Sequence, residues 1–235
     1  MNPKENALRI IRFDQPERIV MRPPAHGVCF HGCNHEGYVD GGHHLPVGSR
    51  WVDIWGVGWH KEQQSVMGFP EHHPLANLPT AFSSYNWPDP DDERICGPIY
   101  TKAEGWDPER SFLHGSHRDT LWEKCHMLVG MEDMMCYFFT EPQLVKELLH
   151  RIMDFHLGIA KHYEKIGVEM VGLCDDLGTQ SGPLLSPDLV REFFMPEYRR
   201  LVDFHKANDV LIDFHSCGHI EPMLDMFMEL GLDMI

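Results

Sequence analysis

Basic residues are scarce in this chain. Twenty lysines and arginines face 36 aspartates and glutamates, which leaves a net charge of -16 over 235 residues. That balance opposes nucleic-acid backbones and anionic membrane surfaces, so neither is an expected partner. Long apolar runs are missing too: nothing approaches the roughly 18–20 residues of a membrane span. The start, Met1-Asn2-Pro3-Lys4-Glu5, has neither the basic nor the apolar region of a secretory signal. Seven cysteines, an odd number scattered through a chain of ordinary size, make no disulfide framework and point to reduced thiols in a cytoplasm. There is no internal repeat and no low-complexity linker. What is present is a 43% hydrophobic content, enough for a sizeable core, and the expectation is one domain over 1–235 acting on a small molecule.

From Thr140 onward the pattern is regular. Thr140, Pro142 and Gln143 mark a helix start with a capping-box spacing, and Val145, Leu148, Leu149, Ile152, Ile159 and Tyr163 trace one apolar face up to Gly167. Residues 168–174 form a nearly continuous apolar run, as in a strand buried on both faces. After the loop at 175–182, Ser186-Pro187 opens a second helix, which Pro196 should kink or divide. A strand at 210–214, a helix at about 220–230, its stop at Gly231 and a fresh apolar start at 232–235 complete the series. This alternation predicts an α/β fold of the (β/α)8 TIM-barrel type.

The first 110 residues or so are less regular. Ala7–Phe13 reads as a short helix, 22–49 is crowded with Gly, Pro and His, 51–59 reads as a strand or hairpin arm, 87–92 as a proline-acid turn and 111–114 as another strand. A closed eightfold barrel takes about 250 residues even when all are spent on the repeat. The chain is therefore expected to stop before its fold closes, with last strands missing. The edge left near 232–235 should be covered by rearranged N-terminal segments or by another copy in a homo-oligomer.

The residues with most chemistry lie where strands give way to loops. His215-Ser216-Cys217-Gly218 sets an imidazole and a thiol two residues apart, a pair that reads either as metal ligands or as a buried histidine beside an inert thiol. Asp175 and Asp176 end the preceding strand and are candidates for catalytic acid, base or substrate contact. His114 and His117 flank Gly115 at another strand end. The N-terminal donors His26, Cys29, His31, Cys33, His35, His43, His44, His72 and His73 read as a loop over the barrel mouth with His26 or His31 reaching substrate, or else as a structural zinc site. The fourteen methionines read as adaptable core.

Several of these stretches resemble a known family. Asp175-Asp176-Leu177-Gly178-Thr179-Gln180, Gly182-Pro183-Leu184-Leu185-Ser186-Pro187, Arg191-Glu192-Phe193-Phe194 with Pro196, Phe214-His215-Ser216-Cys217-Gly218 and Leu230-Gly231-Leu232-Asp233 resemble the uroporphyrinogen decarboxylase superfamily. The resemblance is strong from about Arg110 to Ile235 and weaker at Pro16–Val20 and Trp87–Pro90. It implies a (β/α)8 barrel, a missing C-terminal part, and one of two chemistries. The haem-pathway decarboxylases hold their octacarboxylate with an Arg-Gln-Ala-Gly-Arg segment; here Arg22-Pro23-Pro24-Ala25-His26-Gly27 has no second arginine nearby. The cobamide-dependent methyltransferases resemble this chain in His-x-Cys, which with a later cysteine binds zinc. That implies His215 and Cys217 as ligands, a third ligand beyond Ile235 and a corrinoid carried by a partner protein; His114, at its strand end, and Gln180, in the loop at 175–182, are the further candidates for substrate contact. Methyl transfer is the leading expectation. The alternatives are metal-independent decarboxylation of uroporphyrinogen or another carboxylate in porphyrin biosynthesis, and a non-catalytic fragment or binding subunit.

Overall fold

The structure, a computed structural model, describes residues 1–32, 45–65 and 68–235. Asn2 caps helix α1 (Pro3–Ile11), its side chain accepting the Glu5 N–H at 2.7 Å. The helix starts earlier than the apolar pattern indicates and ends earlier as well, because Phe13 adopts a left-handed φ of 54°. Strand β1 (Ala25–Val28) follows. Next, β2 (Arg50–Val52), β3 (Gly58–His60) and β4 (Phe69–His72) form a separate antiparallel sheet. Asp53 fixes its first turn: the buried carboxylate accepts the backbone N–H groups of Trp55 and Val57 and the indole N–H of Trp59.

Helices α2 (Leu78–Ala81) and α3 (Glu93–Ala103) lead into the regular part. There the order is β5 (Phe112–His117), α4 (Trp122–Val129), α5 (Met131–Thr140), α6 (Pro142–Lys165), β6 (Met170–Cys174), α7 (Pro187–Leu189), α8 (Met195–Ala207), β7 (Leu211–His215) and α9 (Leu224–Leu230). The local punctuation is largely as the sequence predicts. Ser186 caps α7 through the Leu189 N–H, and Gly167 and Gly231 take positive φ at helix ends. Pro196 sits in the first turn of α8, and the chain passes from α7 through a π turn at Val190–Phe194 to reach it. One expectation fails. Thr140 does not cap α6; it is the last residue of α5, its hydroxyl bonded back to the Cys136 carbonyl, and Glu141 occupies the cap position with no side-chain bond.

The four strands β1, β5, β6 and β7 form one parallel sheet in that order, the βα architecture of a TIM-type barrel. Strand alternation gives the sheet two different faces. Behind it lie Val28, Leu113, Val171, Leu173, Ile212 and Phe214, all buried in the large core that joins helices α3 to α9 to the sheet. Gly115 belongs to this face, where a Cβ would press on the Tyr163 ring at 2.9 Å. In front lie Phe112, His114, Met170, Gly172, Cys174, Leu211, Asp213 and His215, paired across the strands by register. The lowest front residues, Phe112 and Met170, form a small second core with Ala7, Leu8 and Ile11 of α1, so α1 plugs the amino end of the sheet. Past Gly231 the chain returns to the sheet edge, where Met234 makes an isolated parallel bridge to Asp213. Among the described residues, no helix is long and apolar enough to cross a membrane, and the six cysteines form no disulfide.

Candidate metal-binding site at the ends of strands β6 and β7

Two parallel strands that end level with each other bring the site together. Cys174, the last residue of β6, pairs in register with His215, the last residue of β7. Beyond them the two loops are cross-linked. The Gly178 N–H donates to the Cys217 carbonyl at 3.1 Å, the His219 N–H to the Thr179 carbonyl at 2.8 Å, and the Leu177 N–H to the Ser216 hydroxyl at 2.9 Å. This approach is why glycine stands at 178 and 218. A Cβ on Gly178 would meet the Cys217 oxygen at 2.6 Å, and Gly218 adds a φ of +84°.

Within this frame Asp176 accepts the Cys217 backbone N–H at 2.8 Å, and its Oδ1 lies 3.6 Å from His215 Nε2. The same imidazole nitrogen is 3.3 Å from Cys217 Sγ. Cys174, Asp176 and His215 offer one ligand atom each within 4.8 Å of one another. A hydrogen bond to Asp176, then burial, pushes the Cys217 thiol up, and the Cys174 thiol is pushed up chiefly by burial and the nearby Glu123 carboxyl. Glu123 itself, in the first turn of α4, is pushed up to about 9 by burial and by Asp119, Asp175 and Asp176. A carboxylate, two thiols and an imidazole gathered at two strand ends are a donor set that a divalent cation could use.

Asp175, expected beside Asp176, points the other way. It is fully buried, and its carboxylate accepts the backbone N–H groups of Leu121, Trp122 and Glu123 at 2.8–2.9 Å and the Tyr198 hydroxyl at 2.5 Å. Burial raises its carboxyl to about 6 against the pull of these donors. The residue is an anchor for the N-terminus of α4, with four donors and no face toward a ligand. Alternation accounts for it: Cys174 and Asp176 face front, Leu173 and Asp175 face back.

The other expected residues divide. His114 lies on the front face and, with Arg22, Asp213, His215 and Ser216, lines a cavity of about 830 Å³. Burial lowers its pKa, with Asp213 pulling the other way, so it is a neutral donor and acceptor at neutral pH. His26 is separated from this cavity: it follows the back-face register, and its Nε2 is 2.6 Å from the Lys102 carbonyl at the end of α3. His31 follows β1, and its backbone N–H bonds the Ile95 carbonyl of α3. Gln180 is exposed at the tip of the 175–182 loop. His117 is wholly buried behind the sheet. Cys33, His35, His43 and His44 lie outside the described residues; of the others, Cys29 Sγ is 3.9 Å from the Ser116 carbonyl, His73 Nδ1 is 2.7 Å from the Met127 carbonyl, and His72 is exposed at the end of β4.

Cys174 and Glu123 were not singled out by the sequence. Cys174 was legible in principle, since counting back by twos from Asp176 reaches it. Glu123 carries no such signal, because its place depends on how Asp175 seats α4.

Comparison with known proteins gives a consistent picture. The family model for uroporphyrinogen decarboxylase matches residues 122–235. A methylated-thiol–coenzyme M methyltransferase of Methanosarcina mazei is 26% identical over 106 residues, 45% of this chain and 28% of that protein. Among solved structures, a methyltransferase from Methanosarcina mazei superposes with a TM-score of 0.59 at 16% identity, over 77% of this chain and 52% of that one. The second likeness is one of fold. In both comparisons the chain spans well under two thirds of the relative's length.

Proposed function

We propose, for a chain that belongs to the uroporphyrinogen decarboxylase superfamily, methyl transfer between a small substrate and a corrinoid carried by a partner protein, assisted by zinc at His215 and Cys217. The observation that carries this reading is the meeting of His215 Nε2 with Cys217 Sγ at 3.3 Å and with Asp176 at 3.6 Å, at the carboxyl ends of parallel strands. The donor set fits the ion: zinc takes imidazole, thiolate and carboxylate ligands, and soft sulfur beside nitrogen disfavours magnesium or calcium. When bound, zinc supplies Lewis acidity, which keeps a substrate thiol deprotonated for attack on a methyl group or polarises an ether oxygen so that its methyl leaves.

The protein's own groups have separate tasks. Asp176 holds the Cys217 amide and so sets the turn that presents the thiol. Asp175, through α4, holds Glu123 beside Cys174. His114 and Asp213 line the cavity below and offer neutral and anionic hydrogen-bonding positions to a small polar substrate. Arg22 is the only arginine in that lining among the described residues, which leaves an octacarboxylate short of fixed cations and speaks against porphyrinogen decarboxylation.

Elemental analysis and a methylcobalamin assay test the proposal together. Purified protein should carry zinc in proportion to chain; Cys217→Ala should lose it, and Cys29→Ala should keep it. Demethylation of methylcobalamin by added thiols should follow zinc content. Protein that takes up no zinc, or turnover indifferent to its removal, overturns the reading.

A further inference from the structure

The ligand set need not wait for a cysteine beyond Ile235. Cys174 stands directly across from His215 in the β6–β7 register, on the same face, each the last residue of its strand. Its Sγ is within 4.8 Å of ligand atoms on both His215 and Asp176. Among the described residues its side-chain contact is a long one, to Glu123 Oε2 at 3.9 Å, which leaves the sulfur available to a metal. With bonds of about 2.0–2.1 Å to nitrogen or oxygen and about 2.3 Å to sulfur, the donors of a zinc tetrahedron stand roughly 3.3–3.8 Å apart. The 3.3 Å and 3.6 Å separations around His215 already have that length. Cys174 lies near enough for side-chain rotation to bring its sulfur in.

We propose that Cys174 is itself a ligand of the metal read at His215 and Cys217, so that the centre is built from the ends of β6 and β7 together. This rests on the zinc reading above and changes what the site is: a two-sulfur shell bridging adjacent strands and contained within residues 174–217. The metal then ties the β6 loop to the β7 loop, whose backbones are already bonded to each other. Glu123, in contact with Cys174, becomes an outer partner of the ligand.

Cobalt(II) titration of the metal-free protein separates this inference from its premise. Thiolate-to-cobalt absorption counts bound sulfurs: two are expected in the wild type and one each in Cys174→Ser and Cys217→Ser. Loss of outer partners alone weakens metal sites about 10–100-fold, so Cys174→Ser should weaken cobalt binding at least about tenfold. A readout free of mutation guards against a misfolded variant. In wild-type protein, zinc should protect both Cys174 and Cys217 from iodoacetamide, while exposed Cys136 alkylates equally with and without metal. Protection of Cys217 with none at Cys174, or unchanged absorption in Cys174→Ser, overturns the inference and leaves the zinc reading standing. No cobalt bound by the wild type overturns both.

Discussion

Strand β5 carries two histidines, and they live in opposite worlds. His114 faces the front of the sheet and lines the open cavity with Asp213 and His215. His117 faces back and sits in a buried row, its Nδ1 3.3 Å from His156 Nδ1 and its Nε2 2.9 Å from His205 Nε2. Burial alone lowers His205 to about 4 and, with Lys124 nearby, dominates in lowering His156 to about 3; His117 is lowered by burial and then by its histidine neighbours. Neutral imidazoles suit such a row, because each has one ring N–H to give and one nitrogen to receive. The same division separates Asp176, which holds the Cys217 amide, from Asp175, which seats a helix. Residue type does not decide between chemistry and packing here; the parity of the strand position does.

The two aspartates give the largest contrast. Asp175→Ala strips acceptors from three backbone amides and a tyrosine hydroxyl in a fully buried place, and should cost about 3–5 kcal/mol of stability. Asp176→Ala, at a side chain 39% exposed, should cost under about 1 kcal/mol and act on metal affinity instead. Urea unfolding of both variants measures the difference. Equal losses, or a folded Asp175→Ala with unaltered stability, would break the front-and-back account.

Much of this architecture was legible beforehand, for a definite reason. Helix α6, strand β6, the Ser186 cap, the break at Pro196 and the stop at Gly231 are all written in local periodicity and punctuation, which act within a turn or two. The pairing of Asp176, His215 and Cys217 was legible as well, since all sit at strand ends. What was not legible depended on contacts across the sheet. Nothing near Asp175 in the sequence announces that Leu121, Trp122 and Glu123 will present their amides to it. Nor does His26 announce the Lys102 carbonyl, 76 residues away. Thr140 misled in the other direction: a fitting cap residue was absorbed into the end of α5, because a preceding helix ran straight into it.

The buried histidines sharpen the comparison through pH. Unfolded, each titrates near 6.5, whereas folded it stays neutral to much lower pH, so below 6.5 the unfolded chain binds more protons and stability falls with acid. Glu123 works oppositely: its folded pKa is raised to about 9 from 4.5, so its contribution grows as pH falls through that window. The informative quantity is therefore a difference between proteins. His156→Asn should make the stability profile shallower by about 1.4 kcal/mol per pH unit between about pH 6 and about pH 5. Parallel profiles for variant and wild type would show that His156 does not carry a depressed pKa.

The smallest expected effect falls on substrate, and it compares two histidines that the sequence treats alike. His114 is neutral, half-buried and on the cavity wall, so it can give or take one hydrogen bond to a bound small molecule. One such bond is worth about 1 kcal/mol, or roughly fivefold in KM when His114 becomes Gln. His26 has spent its Nε2 on the Lys102 carbonyl and lies on the other side of β1, so His26→Gln should leave KM within about twofold and appear only as a slight loss of stability at the β1–α3 contact. Steady-state kinetics of the two variants, with kcat and KM read separately, settle which face meets substrate. A larger KM effect at His26 than at His114 would mean that substrate does not enter from the front face at all, and would move the binding site to the β1–α3 side of the sheet.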